Sequence, residues 1–578
     1  MKLTDIAAAN DNKWLSFESL DPATRCELES IKNDEDQINA CFGGNLAFGT
    51  GGLRGIMSAG TARMNIYTVM QATQGLCELI KKENACERGV AIAYDSRNNS
   101  RVFAECSARV LAGNGVKAYL FDDVRPTPEL SFALRHLGCI AGINITASHN
   151  SKEYNGYKAY WEDGAQLPPD HADTVSREIA KVDIFNGITS ANFEKSIEKG
   201  DIVIIGEEVD SAYLENVGGE RLCPPGFAET AKEMSIVYTP LHGAGWKLVP
   251  RMLKKMGIEK LCIVESQSTP NGDFPTVKKP NPELAEVFVP GIELAEKVGA
   301  DLVIATDPDC DRVGVMSRAK SGRFERITGN AMGALLLDYI LKALASKGGV
   351  PEDAYAVKTI VSTELFAEIC KANGVKLYNV LTGFKFIGEV IKQHEAEGKG
   401  TYLLGFEESY GYLKGTYARD KDAVCASMLI AEMAVYYRTK GMTLSDALDA
   451  LYEKYGYFAE LTENMEITGV NASEKMAAIT ANLRSTPPTA ICGSKVVSIG
   501  DYREGFITDL ATGKKEATNL PSSDVLRYAL ENGDVVLVRP SGTEPKVKIY
   551  FLCSAENKAA LSAKMELCPA EAKRLCGM

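Results

Sequence analysis

Gly142-Ile143-Asn144-Ile145-Thr146-Ala147-Ser148-His149-Asn150 is the stretch whose reading decides the fold. Its first four residues are weighted towards apolar side chains and read as a short buried strand, so Ser148 falls in the tight turn where that strand ends. Upstream, Gly89-Val90-Ala91-Ile92-Ala93-Tyr94-Asp95 reads as a strand, a helix opens at about Ser100, and Val116 to Phe121 is the next strand. Strand, helix, strand in that rhythm predicts an α/β layer on a largely parallel sheet. Ligands of such sheets gather at the carboxyl ends of the strands, which is where Ser148 stands. A serine hydroxyl is a poor nucleophile until a neighbour takes its proton or it already carries a group to pass on. His149, one of five histidines in the chain, is the adjacent residue. Taken alone, the same turn also reads as a polar one whose Ser and Asn cap a following helix.

Working outward, 578 residues are too many for one core and imply several domains. A hydrophobic content of 45% and a charged content of 24% are those of a soluble globular protein. The formal charge of −13 supplies no broad basic surface, which excludes nucleic acid and anionic membrane as partners. An anionic substrate therefore needs its own local cluster of Lys and Arg. Fifteen cysteines, an odd and scattered set with no CxxC pair, read as reduced thiols of a cytoplasmic protein. Met1 to Trp14 is polar, and no apolar run approaches the roughly 20 residues of a membrane span. Up to about Phe42 the chain reads as a helical preamble, and from Asp163 to Gly219 the pattern weakens to one amphipathic helix near Val175 to Val182. A second unit opens at Ser235, a third with the helix Asn330 to Ala345, and a fourth, lighter in βα rhythm, at about Gly456.

Four further stretches carry chemistry. Phe48-Gly49-Thr50-Gly51-Gly52-Leu53-Arg54-Gly55 lets backbone pass close to a ligand, and Arg54 is a fork-shaped donor suited to phosphate. Asp307-Pro308-Asp309-Cys310-Asp311-Arg312 follows a buried strand, and its alternate carboxylates can converge on one hard cation. An EF-hand loop would need Gly at position six and Glu at twelve, where Arg312 and Arg318 stand. Three protein oxygens suit Mg²⁺, which completes its shell with phosphate or water. Gly405-Phe406-Glu407-Glu408-Ser409-Tyr410-Gly411 puts carboxylate and hydroxyl on a glycine-bounded loop fit for vicinal sugar hydroxyls. Arg539-Pro540-Ser541-Gly542-Thr543-Glu544-Pro545-Lys546, with Lys548 beyond it, makes an anion nest without Walker-A spacing, so ATP is not its reading. Lys158 stands just after the serine turn as an acid/base or phosphate partner. A serine, a cation site, a sugar loop and a phosphate cradle together suit phosphoryl transfer on the serine.

In this order, and over nearly the whole chain, these motifs resemble the α-D-phosphohexomutase superfamily, in its long phosphoglucomutase/phosphomannomutase form. The resemblance implies an α/β protein of four domains around a central cleft: three related mixed α/β domains and a smaller C-terminal α+β domain. They would fall at 1–225 (with the helical extension), 226–328 (metal), 329–455 (sugar) and 456–578 (phosphate). It implies a phosphoserine at Ser148 and Mg²⁺ held by Asp307, Asp309, Asp311 and the phosphoserine oxygen. Arg54, His149 and Lys158 would stand beside the nucleophile, with Lys158 or His149 as general base. Thr382-Gly383-Phe384-Lys385 resembles the substrate-orienting loop. Thr382, Gly383, Lys385, Glu407, Ser409, Arg312, Arg539, Ser541, Gly542, Thr543 and Lys548 would then bind substrate. The implied reaction interconverts hexose 1-phosphate and hexose 6-phosphate through a sugar 1,6-bisphosphate, which also serves as activator. Glu407-Glu408-Ser409-Tyr410 looks like the glucose-type loop; mannose and pentose phosphates, and a phosphosugar hydrolase, remain as alternatives, and the oligomeric state is open. One departure is Ser151, where the family usually has proline after the serine-loop Asn.

Overall fold

Val90-Ala91-Ile92-Ala93-Tyr94 is buried along its whole length, as a strand covered by helices on both faces must be. It is an inner strand of a six-stranded sheet whose spatial order is Gly52–Ile56, Tyr154–Trp161, Ala141–Ile145, Val90–Tyr94, Ala118–Phe121 and Ile202–Ile205. The last four run parallel, and the first two are antiparallel additions. The structure is a computed structural model that describes residues 3–49, 51–467, 471–541 and 546–578.

The chain divides into two compact units. The first takes residues 1–326, 391–396 and 411–439, and the second takes 327–390, 397–410 and 440–578. Besides the six-stranded sheet, the first unit holds a sheet in which Val313–Arg318 pairs antiparallel to Leu302–Thr306. Leu302–Thr306 pairs parallel to Ser235–Thr239, and that strand to Lys260–Ile263. Leu302–Thr306 is buried throughout, so the aspartate stretch leaves from the carboxyl end of an inner strand. The helical preamble forms Asp5–Leu15, Pro22–Ile31 and Glu35–Phe42, anchored by Trp14, whose ring meets Phe42, Tyr67 and Phe185 edge-on at 5.2–5.6 Å.

In the second unit Lys376–Val380, Ala354–Thr359 and Thr401–Glu407 pair in parallel. The C-terminal sheet is antiparallel: Tyr457–Glu466 lies on Lys546–Ala555, which lies on Val535–Pro540 and then Leu526–Leu530. Ile360, Val361, Leu381, Tyr502, Leu537 and Tyr550 share one core between the parallel strands and this sheet.

Between Asp163 and Gly219 the structure has more order than its sequence pattern predicts: helices Pro169–Ile179, Phe193–Lys199 and Glu207–Gly219, and the edge strand Ile202–Ile205. The strand is four residues long with two of them buried, too short to carry a periodic signal. Among the described residues no helix is long and apolar enough to cross a membrane.

Candidate active site

Ser148 leaves the strand Ala141–Ile145 with φ +52°, a left-handed turn conformation uncommon for a residue with a side chain. Its backbone N–H donates to Thr146 Oγ1 at 2.8 Å, and Thr146 Oγ1 donates to Asp95 Oδ2 at 2.7 Å. Arg97 grips the turn from below. Its guanidinium donates to the carbonyls of Ser148, Asn150, Ser151 and Tyr154 while pairing with Asp95 at 3.2 Å. Both members of that pair are fully buried, which suits a fixed support rather than a solvated ion pair. Burial lowers the Arg97 guanidinium against the opposing pull of Asp95, and raises the Asp95 carboxyl against that of Arg97.

The strained turn aims Ser148 Oγ at the aspartate loop. Oγ donates to Asp307 Oδ2 at 2.9 Å and lies 3.2 Å from His149 Nδ1. The carboxylate oxygens of Asp307, Asp309 and Asp311 lie within 4.8 Å of one another, and all three residues are buried. Asp307 Oδ1 accepts the backbone N–H groups of Asp311 and Arg312 at 3.1 and 3.0 Å, closing the loop on itself. Cys310, at φ +52°, bends the loop so that alternate carboxylates face one point. The loop Leu241 to Gly245 backs it, with Ala244 N–H donating to Pro308 O at 2.7 Å. A Cβ on Gly243 would sit 2.4 Å from Pro308 Cα, so only glycine permits that approach.

Charge at this point is one-sided towards acid and then compensated. Burial, with Asp309 and Asp311 beside it, pushes the Asp307 carboxyl well above the usual carboxylate range. Burial acts the same way on Asp309, but Lys158, 2.8 Å away, and Thr127 Oγ1, 2.9 Å away, overcome it and hold that carboxyl low. Lys158 is desolvated in turn, yet Asp309 and Asp311 keep its ammonium above the ordinary lysine value. A second ammonium, Lys421 Nζ, stands 3.1 Å from Asp311 and 2.9 Å from Asp420. Asp309 Oδ1 and Asp311 Oδ1 remain buried without a hydrogen-bond partner. Buried carboxylate oxygens converging on one point, two of them unsatisfied, fit a hard divalent cation of Mg²⁺ type. His149 is half-buried; desolvation, then Arg312 and Arg54, hold its imidazole well below the usual value and so neutral. Arg54 donates to Asn150 Oδ1 at 3.3 Å, and Arg312 is held by Glu283 at 2.8 Å. Ser148, His149, Lys158, Arg54, Arg312 and the three aspartates are therefore one constellation of the first unit.

The remaining sequence-predicted groups lie in the second unit. Glu407, at the end of the strand Thr401–Glu407, is buried and accepts the Gly383 N–H at 2.9 Å. This ties the Glu407 loop to the Thr382–Lys385 stretch, where Gly383 needs its φ of +119°. Lys385 Nζ lies 5.3 Å above the Phe386 ring, and its desolvation, opposed by Glu389, lowers its ammonium. Ser409 is half-buried beside them in the same loop. Arg539 and Lys548 face each other across paired strands, and Ser541 N–H donates to Lys546 O at 2.9 Å. Burial, then the charge of Glu408, raises the Tyr550 phenol against the pull of Arg539, so this ring lies near both the sugar loop and the phosphate strand. Gly542 and Thr543 of the nest, and Thr50 of the glycine-rich loop, lie outside the described residues.

Residues 45–184, 211–321 and 328–455 match the family models for phosphoglucomutase/phosphomannomutase alpha/beta/alpha domains I, II and III, and 495–568 match its C-terminal domain. The chain belongs to the phosphoglucomutase/phosphomannomutase family. It is 37% identical over 554 residues to a phosphoglucomutase of Staphylococcus saprophyticus, covering 96% of this chain and 98% of that one. It is 34% identical to one of Staphylococcus epidermidis, with the same coverage. Among solved structures, the phosphoglucomutase parafusin of Paramecium, in an open form, matches with a TM-score of 0.68 at 18% identity. That match covers 92% of this chain and 95% of that one. A phosphoglucomutase/phosphomannomutase family protein of Burkholderia thailandensis matches at 0.63 and 19%, over 91% and 97%. These two likenesses speak to the fold: three α/β domains and a C-terminal domain.

Several groups that support the candidate site carry no signal in the sequence. Asp95 and Arg97 were legible only as the residues after a strand. A run of charges ordinarily marks a solvated face, yet Arg419, Asp420, Lys421 and Asp422 are each at least nine-tenths buried. Tyr160 Oη donates to Asp420 and Tyr213 Oη to Asp422, so this run is a buried floor beside the aspartates. The missed signal was placement: four alternating charges directly before the apolar helix Ala423–Arg438.

Proposed function

We propose that this mutase interconverts glucose 1-phosphate and glucose 6-phosphate, with Ser148 as the phosphate carrier and a hexose 1,6-bisphosphate as both intermediate and activator. The observation that carries the reading is Ser148 Oγ, held by a strained turn 2.9 Å from a buried carboxylate of the aspartate triplet. Such a hydroxyl is placed for phosphoryl transfer, which asks for positioning and charge neutralisation more than covalent ingenuity. Asp307, Asp309 and Asp311 would hold Mg²⁺, which when bound supplies positive charge to phosphoryl oxygens and to the serine oxygen as it leaves.

The chain's own residues divide the remaining work. The Arg97 clamp fixes the carrier turn, so Oγ keeps its aim whether or not it is loaded. Arg54 and Arg312, next to the serine loop and the aspartate loop, offer donors to the transferring phosphate. The attacking sugar hydroxyl gives its proton to His149, whose imidazole is held neutral beside Oγ, while the Lys158 ammonium, kept charged by Asp309 and Asp311, balances negative charge at the triplet. In the second unit Glu407 and Ser409 accept from and donate to sugar hydroxyls, with Thr382, Gly383 and Lys385 orienting the ring. Arg539, Ser541 and Lys548, with Gly542 and Thr543, take the phosphate that is not reacting. The bisphosphate then turns end for end, and Ser148 recovers the other phosphate.

A single assay tests this. The protein is given glucose 1-phosphate, Mg²⁺ and a catalytic dose of glucose 1,6-bisphosphate, and both glucose 6-phosphate and orthophosphate are followed. The expected result is isomer without stoichiometric orthophosphate. Orthophosphate without isomer would make the protein a hydrolase and end the proposal. A panel of mannose, glucosamine and pentose 1-phosphates ranks the substrates by kcat/KM.

A further inference from the structure

The strand Ala141–Ile145 is buried along its whole length, and Asn144 is the one polar side chain in it. Asparagine is depleted in strands, and a buried amide must find partners or cost stability. Asn144 is fully buried and meets that demand only in part. Its Nδ2 donates to Thr127 Oγ1 at 2.6 Å, while its Oδ1 has no hydrogen-bond partner among the described residues. An apolar residue would complete the strand better, so the amide calls for a reason outside it.

That reason lies in where Thr127 sends its proton. Thr127, also fully buried, opens the helix Thr127–His136 and holds Asp309 twice. Its N–H donates to the Asp309 carbonyl at 2.8 Å, and its hydroxyl donates to Asp309 Oδ2 at 2.9 Å. An ionised carboxylate can only accept, so the Thr127 proton points at Asp309, and Thr127 Oγ1 is left to accept from another donor. The Asn144 amide nitrogen is that donor. An amide turned the other way would draw the Thr127 proton off Asp309. Asn144 is also the direct cross-strand partner of Lys158, whose Nζ donates to the same Oδ2 at 2.8 Å. Both donors therefore fall on Oδ2, and Asp309 Oδ1 stays buried with no hydrogen-bond partner.

We propose that Asn144, acting through Thr127, is a positioning residue of the cation site: it commits the Thr127 hydroxyl to Asp309 Oδ2 and so keeps Oδ1 for the cation. The proposal rests on the reading that Asp307, Asp309 and Asp311 hold Mg²⁺. A carboxylate without such support turns about its last bond and can meet a cation with one oxygen, with both or with neither. Two donors on one oxygen fix its plane and present the other. Mg²⁺ demands near-ideal octahedral geometry, so a fixed plane is worth affinity to it. The strand that carries Asn144 also ends in the Ser148 turn, so one element sets both the phosphate carrier and the support of a cation ligand.

The test is Mg²⁺ affinity, read by calorimetry on the full-length protein, with all samples matched in Ser148 phosphate content by intact mass. Thr127→Val keeps the shape without the hydroxyl, and Asn144→Ala removes the amide; each should weaken Mg²⁺ binding about 10–100-fold. Thr127→Ser, which keeps the hydroxyl, should stay close to wild type. The double variant should bind no more weakly than Thr127→Val alone, because the amide acts only through the hydroxyl. KM for glucose 1-phosphate at saturating Mg²⁺ should not move in any of them. Thermal unfolding without Mg²⁺ shows which variants are folded, and Asn144→Leu, also without a donor, repeats the test should Asn144→Ala fold poorly. Wild-type affinity in folded Thr127→Val or in a folded Asn144 variant would overturn the proposal. So would losses that add in full in the double variant. Wild-type protein that bound no Mg²⁺ would instead bring down the reading of the triplet, and the proposal with it.

Discussion

The serine–aspartate constellation of the first unit and the sugar–phosphate groups of the second are built on opposite plans. In the first, the acting groups are sunk: Ser148 is 4% exposed, Asp307 and Asp309 0%, Asp311 2%. Buried side chains hold them in turn, as Thr127 holds Asp309 and Lys421 holds Asp311. In the second, Thr382, Lys385, Ser409, Arg539, Ser541 and Lys548 are all half-buried, and the Gly383 N–H to Glu407 bond ties two of their loops together. Charge has to be neutralised at a fixed place in a transition state, and preorganised buried groups do this without reorganising. Recognition of a sugar that must present either end asks instead for groups that reach. The first plan predicts losses in turnover when it is damaged, and the second predicts losses in substrate affinity.

The largest expected effect tests the centre of the first plan. Ser148→Ala should cost at least about 10⁴-fold in kcat, the scale on which enzymes lose activity with their nucleophile. Intact-mass spectrometry should show one phosphate on the active wild-type protein and none on the variant. A variant with wild-type turnover would remove the carrier from the mechanism.

Next comes Asp309→Asn. Asparagine keeps an oxygen for Thr127 but takes away the charge that faces Lys158 and one of three anionic ligands. Turnover should fall about 10²–10³-fold, as when one preorganised electrostatic group is lost. Mg²⁺ affinity, read by calorimetry, should weaken with it, and chelation of wild type should abolish turnover. Unchanged affinity would place the cation elsewhere.

Glu407→Gln sharpens the contrast from the other side. Its buried carboxylate fastens the Gly383 loop, and a lost charged hydrogen bond is worth about 1.5–3 kcal/mol. KM for glucose 1-phosphate should rise about tenfold or more, with the Ser148 phosphate content of the isolated protein unchanged. A variant that instead lost that phosphate would show that the second group of residues takes part in the chemistry.

The sheets and the aspartate triplet were legible because they rest on short-range pattern: an apolar run, a turn, alternate carboxylates. Strand, helix and strand around Val90–Tyr94 and the strand before Asp307 fall where their burial demands. What stayed hidden depends on tertiary burial of polar residues. Arg97 is mute in sequence because its four acceptors are backbone carbonyls, which any sequence supplies. Arg419-Asp420-Lys421-Asp422 is misleading, since a charge run usually faces water and this one is enclosed. The Ser151 departure from the family pattern has a visible consequence: its carbonyl still accepts from Arg97 at 2.8 Å, so the clamp does not need the proline.

The smallest expected effect is a pH dependence confined to the second unit. Burial pushes the Glu460 carboxyl up to about 7, against the hydrogen bonds of Thr363 and Asn330 and the nearby Lys358 ammonium, with Glu364 adding like charge. The unfolded carboxyl has its ordinary value of about 4.3. Between these values the folded protein holds the proton more tightly than the unfolded chain, so stability falls as pH rises. The contribution is complete below about pH 4.3 and is lost as pH passes through about 7. Glu460 lies in the strand Tyr457–Glu466, so local opening of that strand should become easier from pH 5.5 to 8 once intrinsic exchange rates are divided out. Glu460→Gln keeps the shape and removes the titration, and its exchange in that strand should be flat with pH. Amides of the strand Ala141–Ile145, in the first unit, serve as the reference. If they changed in step with the Glu460 strand, and Glu460→Gln left both changes in place, the pH dependence would belong to the whole chain and not to this carboxyl.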